Sequence, residues 1–198
     1  IAGIEGKPVY SIFAYQWAGL DPKTGDPMGY LNGAVSKDYS ALVGAGTKIS
    51  DLEYFGSAIP TVYGSFINSV SYKNFSLDIG IVYKMDYYFR RSSINYTNLY
   101  KSWLGHSDFA YRWQKEGDEA FTNVPSNTLM SDYNRDSFYR GSSVLVEKAD
   151  HIRLQYINFN YRFDQSTWKS KVFENLNLFI NLSNLGILWK ANKSGIDP

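Results

Sequence analysis

The chain has 198 residues and a formal net charge of +1, so its charge gives no case for binding nucleic acid or a strongly acidic partner. It contains no cysteine and two histidines, which excludes disulfides, cysteine nucleophiles and zinc sites rich in Cys or His. No apolar stretch reaches the roughly 18 residues of a transmembrane helix, and the first residues lack the pattern of a signal peptide.

Strand patterns dominate the sequence, and no long helix is predicted. The first predicted strand spans residues 8–17. A turn-rich stretch with two Asp-Pro pairs follows, and the segment up to residue 59 is irregular. Within that segment, residues 40–46 have at most the pattern of one or two helical turns.

Residues 61–72 and 75–87 predict a hairpin, with a tight turn at Lys73-Asn74. In the second strand every odd position is apolar or aromatic, whereas most positions between them are small or charged. Successive side chains of a strand lie on opposite faces, so this strand has one apolar and one polar face. The first strand has a matching apolar face, formed by Val62, Phe66, Val70 and Tyr72. The second run is longer than the usual strand of about 5–6 residues in soluble proteins.

A polar segment follows over residues 90–148, and two further strands are predicted at 150–163 and 176–185. The apolar phase of the first of these switches at Tyr156-Ile157, which predicts a β-bulge. Before the switch, one side carries Ile152, Leu154 and Tyr156, and after it the same side carries Ile157, Phe159, Tyr161 and Phe163. In the last strand Leu176, Leu178, Ile180 and Leu182 share one side.

Long and short connections alternate between these strands. Outer-membrane β-barrels show this asymmetry, because their periplasmic turns are short and their extracellular loops are long. Their average hydropathy is that of a soluble protein, since lipid-facing residues alternate with polar ones. A soluble β-sandwich or barrel remains open on pattern alone.

Five short motifs, spread over nearly the whole chain, resemble those of SusC/RagA-type TonB-dependent transporters, and they occur in that family's order. They are YQWAGLDPKTGDP from Tyr15, GSAIPTVYGSFINSVSYKNFSL from Gly56, WQKEGDEAFTNVP from Trp113, ADHIRLQYINFNYRF from Ala149 and LNLFINLSNLGILWKANKSGIDP from Leu176.

This resemblance implies an all-β fold, in which residues 1–198 are a C-terminal segment of an antiparallel transmembrane β-barrel. The full barrel would have about two dozen strands. The plug, the segment that engages TonB and the closing strand would lie outside this chain. Lys73-Asn74 would be periplasmic, and residues 90–148 extracellular.

The resemblance also implies a function in the outer membrane of a Gram-negative bacterium. The whole protein would import an oligosaccharide or, in some members, a peptide. Its partners would be a SusD-like surface lipoprotein, TonB and outer-membrane lipid. Neither catalysis nor a metal, cofactor or nucleic acid is expected.

The same resemblance assigns the two faces of the strands. Lipid would contact Phe75, Leu77, Ile79 and Ile81, while the lumen would be lined by Asp78, Lys84, Asp86, Arg153 and Arg162.

Aromatic residues of the long segment are the candidates for contact with substrate or partner, because exposed rings stack on sugars and pack against proteins. They are Tyr96, Tyr100, Trp103, Tyr111 and Trp113. The simpler interpretation is that several of them pack the segment on itself. Two alternatives to the transporter assignment stay open, namely a soluble carbohydrate-binding β-sandwich and another outer-membrane porin or siderophore receptor.

Overall fold

The computed structural model describes residues 4–130, 132–163 and 176–198. These residues form antiparallel sheets with few and short helices, so the fold is all-β, as predicted. No helix in the described ranges is both long and apolar enough to cross a bilayer. The chain divides into two compact units. We call residues 1–58 and 88–147 the loop unit, and residues 59–87 and 148–198 the sheet unit.

The strands are β1 Ser11–Tyr15, β2 Trp17–Leu20, β3 Pro27–Leu31, β4 Ala34–Ser36, β5 Leu52–Ser57, β6 Val62–Tyr72, β7 Phe75–Met85, β8 Tyr88–Arg90, β9 Val146–Lys148, β10 His151–Phe163 and β11 Leu176–Lys190. The helices are α1 Tyr39–Leu42, α2 Tyr96–Ser102 and α3 Tyr133–Gly141. Single 3₁₀ turns span Ile49–Asp51, Ser107–Tyr111, Asp118–Ala120 and Ser143–Leu145.

The sheet unit is built on one antiparallel sheet with the strand order β11-β10-β7-β6. β6 and β7 pair from Val62↔Met85 to Tyr72↔Phe75, so Lys73-Asn74 is the predicted two-residue turn. Lys73 adopts a left-handed backbone there, with φ of 52°. The predicted hairpin is therefore confirmed.

The register places most of the apolar side chains of the four strands on one side, which we call the apolar face. It contains Val62, Phe66, Val70, Tyr72, Phe75, Leu77, Ile79, Ile81, Tyr83, Ile152, Leu154, Ile157, Phe159, Tyr161, Leu176, Leu178, Ile180 and Leu182. The opposite side, the polar face, carries Ser65, Ser69, Ser71, Ser76, Asp78, Lys84, Arg153, Asn158, Asn160, Arg162, Asn177 and Asn181. Ile67, Val82 and Phe179 are apolar residues that also lie on the polar face.

The β-bulge lies one residue earlier than the sequence predicts. Leu154 pairs with Ile81 and Tyr156 pairs with Gly80, so Gln155 is the extra residue. Tyr156 therefore lies on the polar face, where its ring covers Gly80. The expected grouping of Tyr156 with Ile152 and Leu154 is wrong, because the phase changes before this residue.

The long polar segment after β8 is folded. It contains α2 and α3, which the sequence analysis did not predict. Asn95 caps α2 by accepting a hydrogen bond from the Asn98 amide, and Asp132 caps α3 in the same way. The core cluster of the loop unit consists of Ile94, Tyr96, Val124, Tyr139 and Leu145.

Candidate functional site

A cleft in the loop unit collects three arginines, and we call it the arginine cleft. Its volume is about 680 Å³. One wall comes from β1 and the start of β5, and the other from the chain after β8 together with α2 and α3. The lining residues are Phe13, Tyr15, Leu52, Arg90, Arg91, Ser92, Ser93, Asn95, Asn98, Ser137, Arg140 and Gly141.

Helix α3 is fixed in this wall by buried contacts on its other side. Arg135 donates from Nε to Asp26 at 2.9 Å and from Nη2 to the Ser126 carbonyl, also at 2.9 Å. Phe138 packs against the rings of Tyr15 and Trp17. The helix ends at Gly141, where an added Cβ would come within 2.5 Å of the Tyr15 ring. These contacts set the position of Arg140, in the last turn of α3.

Arg91 is held by acidic side chains outside the cleft. Its Nη1 lies 2.7 Å from Asp108 Oδ2, and its Nε lies 3.5 Å from Glu147 Oε1. Asp108 also accepts from the Ser93 hydroxyl, which is 3.0 Å from the Tyr139 hydroxyl. Burial alone would raise the pKa of Asp108, but the hydrogen bonds from Ser93 and Arg91 outweigh it and lower that pKa below its usual value. Asp108 is therefore ionised and neutralises Arg91.

Arg90 and Arg140 have a different environment, since neither has a carboxylate partner in the described ranges of the loop unit. Arg90 donates from Nη2 to the Phe13 carbonyl at 2.6 Å. Desolvation by the cleft walls lowers the pKa of Arg90. No acidic side chain occurs among the described residues that line the cleft. The cleft therefore has an excess of positive charge.

The five predicted aromatic residues have different environments. Tyr96 is 1% exposed and donates its hydroxyl hydrogen to the Pro125 carbonyl, so the expectation of a surface contact is wrong for this residue. Burial raises the pKa of its hydroxyl. Trp113 lies across Gly25 and donates to Glu119, and Tyr100 donates to Asn127. Trp103 and Tyr111 are the most exposed residues of this set, Trp103 at 90%, and Tyr100 is exposed to a smaller extent. The aromatic residues thus do not form one common platform.

The side chains predicted to face lipid and, apart from Asp86, those predicted to face the lumen lie on opposite faces of the sheet. Phe75, Leu77, Ile79 and Ile81 are on the apolar face, and Asp78, Lys84, Arg153 and Arg162 are on the polar face. Arg153 donates to Asn184 at 2.7 Å and also contacts Asp197.

Asp86 is a correction to the predicted lumen-facing set. β7 ends at Met85, and Asp86 has a left-handed backbone with φ of 58° in the turn that follows. Its carboxylate accepts a hydrogen bond from the Thr61 hydroxyl at 2.5 Å. The alternation of faces therefore stops before this residue, and Asp86 is part of a turn.

Sequence reasoning missed the arginine cleft. Arg90 and Arg91 are adjacent in the sequence, at the start of the predicted polar segment, and this pair was the available signal. Arg140 had no such signal, because its place depends on an unpredicted helix. Among the described residues, no group of three or more His, Asp or Glu side chains is arranged to hold a metal ion.

Comparisons with known proteins identify solved structures that share the fold of this chain. No protein-family profile and no curated protein matches the chain. A chain of the RagAB peptide transporter superposes with a TM-score of 0.61 and 20% identity, over 90% of this chain. Chains of the RagAB peptide importer in its closed-closed and open-open states give TM-scores of 0.61 and 0.58, at 21% and 19% identity, each over 91% of this chain.

This chain spans 19% of the length of each of those RagAB chains. At such low identity, the likeness establishes a shared fold over about a fifth of a much larger protein. Those similar chains belong to a transporter.

Proposed function

We propose that this chain is a C-terminal wall segment of a TonB-dependent outer-membrane importer. The observation that carries the proposal is the exposed apolar face of the sheet unit. Phe66 is 59% exposed, and Leu178, Ile180 and Leu182 of β11 are about as exposed as Phe75 of β7. A contiguous apolar surface that extends over four strands is unfavourable in water, and hydrocarbon is the environment in which it is stable.

The strand lengths support a membrane crossing. β6 and β7 have 11 residues each, and β10 and β11 have 13 and 15. Eleven residues extend over about 36 Å, which becomes about 25 Å at a tilt of about 45°. That height equals the roughly 25 Å apolar band of outer-membrane barrels.

In this arrangement the apolar face contacts lipid and the polar face lines the lumen. Asp78, Lys84, Arg153 and Arg162 are the charged lumen residues. We expect residues 90–148 to be extracellular, because they follow the end of β7 opposite the short turn at Lys73-Asn74, which would be periplasmic. This long segment would then shape the external vestibule through which a nutrient enters.

The substrate and partners follow from the resemblance to SusC/RagA-type transporters. The whole importer takes up an oligosaccharide or a peptide, with a SusD-like lipoprotein at its outer surface and energy supplied through TonB. The similar solved chains carry the name of a peptide transporter, which favours peptide. Trp103 and Tyr111 are the predicted aromatic residues that remain available for contact with substrate or lipoprotein.

A soluble carbohydrate-binding β-sandwich is the main alternative. A sandwich buries its apolar strand faces under a second sheet about 10 Å away. The exposure of Phe66, Phe75 and Ile180 disfavours such a second layer. Another porin or a siderophore receptor would have a similar sheet, but it lacks the five motifs in their order.

The experiment compares Ile79→Arg with Asp78→Asn in the full-length protein. Arginine at the midplane of the lipid-facing wall costs about 2–4 kcal/mol, so Ile79→Arg is expected to block assembly in the outer membrane. Asp78→Asn, one residue away on the polar face, is expected to assemble normally. Heat-modifiable gel mobility of outer-membrane fractions measures both. Equal tolerance of the two substitutions would contradict the proposal.

A further inference from the structure

We infer that the arginine cleft binds a carboxylate group of the imported ligand. The inference rests on the proposed function, and it adds the chemical class of the group that the loop unit recognises. Arg90 and Arg140 are the binding residues, while Arg91 is already neutralised.

The three arginines of the cleft differ in whether this chain supplies a counter-charge. Arg91 is balanced by Asp108 at 2.7 Å and by Glu147 at 3.5 Å. The Arg140 side chain has no ion pair or hydrogen bond to any described residue, and the Arg90 side chain donates only to a neutral carbonyl. Two guanidinium groups in one cleft therefore lack a counter-charge from this chain. A bound anion supplies it.

The hydrogen-bond donors of the cleft match a carboxylate. A guanidinium presents paired N–H groups in a plane, which match the two oxygens of a carboxylate. The remaining polar lining consists of neutral groups, including the amides of Asn95 and Asn98 and the hydroxyl of Ser92. Such a lining suits a polar ligand that presents a carboxylate group. Peptides with a free C terminus and oligosaccharides of uronic acids both provide it.

Two features show that the cleft is built in advance of binding. Helix α3 is fixed by the Arg135–Asp26 pair and by Phe138, so Arg140 starts from a rigid turn. The Ser137 hydroxyl in the cleft wall is buried, and it has no hydrogen-bond partner in the described residues. A volume of about 680 Å³ lies within the range of about 300–1,000 Å³ for ligand sites.

The test measures binding to the purified full-length protein by isothermal titration calorimetry. Two matched pairs of probes are used. One pair is N-acetyl-pentaalanine with a free carboxylate or a C-terminal amide, and the other is trigalacturonate or its neutral trimethyl ester. The acid of at least one pair is expected to bind about tenfold or more tightly than its neutral counterpart.

Arg140→Gln is expected to remove that preference. Lys101→Gln, which removes one exposed positive charge from α2 outside the cleft, is the matched control and is expected to keep it. Arg140→Lys is expected to restore part of the preference. Preference within the peptide pair identifies a peptide carboxylate, and preference within the galacturonate pair identifies a sugar acid.

Absence of any preference for the acids, or a preference that survives Arg140→Gln, would overturn the inference. Either result leaves membrane assembly of the Ile79 and Asp78 variants untouched. Failure of the cleft assignment is thus distinguishable from failure of the proposed function.

Discussion

Arg135 shows how one charged residue organises the loop unit. Its side chain is 4% exposed, and it bonds to Asp26 at 2.9 Å and to both the carbonyl and the hydroxyl of Ser126. Asp26 comes from the turn-rich stretch before β3, so this pair joins two distant parts of the unit. A buried charge is tolerated only when it is paired in this way.

Arg135→Met is expected to destabilise α3 by about 1–3 kcal/mol, because Asp26 and Ser126 lose their donor while the aliphatic contacts are kept. Hydrogen exchange of the α3 amides in the full-length protein should accelerate by about tenfold or more. Arg140→Met, in the same helix but without a partner, is the control and should leave exchange unchanged. Similar exchange rates in the two variants would argue against a structural role for the ion pair.

The predicted site residues illustrate what a sequence can specify at this scale. Alternation along β7 was sufficient to separate Asp78 from Ile79. The surface role expected for Tyr96 was wrong, because aromatic residues occur in polar segments both as exposed rings and as core. The burial of Tyr96 and its hydrogen bond to the Pro125 carbonyl decide between these two possibilities.

At the scale of the element, strands were predicted better than helices. The period of two survives in β6 and β7 because one face is mainly apolar, and in β10 it is interrupted at the bulge. Helix α3, with the sequence YNRDSFYRG, has only its two arginines as good helix formers, and it contains two tyrosines with high β propensity. Its Asp132 cap and the burial of Phe138 stabilise it, and burial is a tertiary effect that local sequence does not report.

Tyr156 and Gly80 provide a test of the bulge. A Cβ at position 80 would lie 2.4 Å from the Tyr156 ring, so Gly80→Ala should lower the temperature at which the full-length protein loses its folded gel mobility. Tyr156→Ala in the same chain should recover most of the loss that Gly80→Ala adds, with a coupling of at least about 0.5 kcal/mol. Strict additivity of the two substitutions would place the Tyr156 ring elsewhere than over Gly80.

At the scale of the whole molecule, the proposed importer assignment requires lipid to cover the apolar face. Phe66 and Ile67 are adjacent in β6, are each 59% exposed and lie on opposite faces. Exposure alone does not distinguish them, and neither does side-chain hydropathy. A lipid environment does, because only one face of a barrel wall contacts hydrocarbon.

Quenching by brominated lipid measures that contact directly. Single Phe66→Cys and Ile67→Cys variants of the full-length protein are each labelled with an environment-sensitive fluorophore and reconstituted in bilayers with bromine on the acyl chains. The segment itself has no cysteine, so it adds no background label. If lipid covers the apolar face, we expect strong quenching for the label at position 66 and little for the label at position 67. Equal quenching at both positions, or none at position 66, would contradict it.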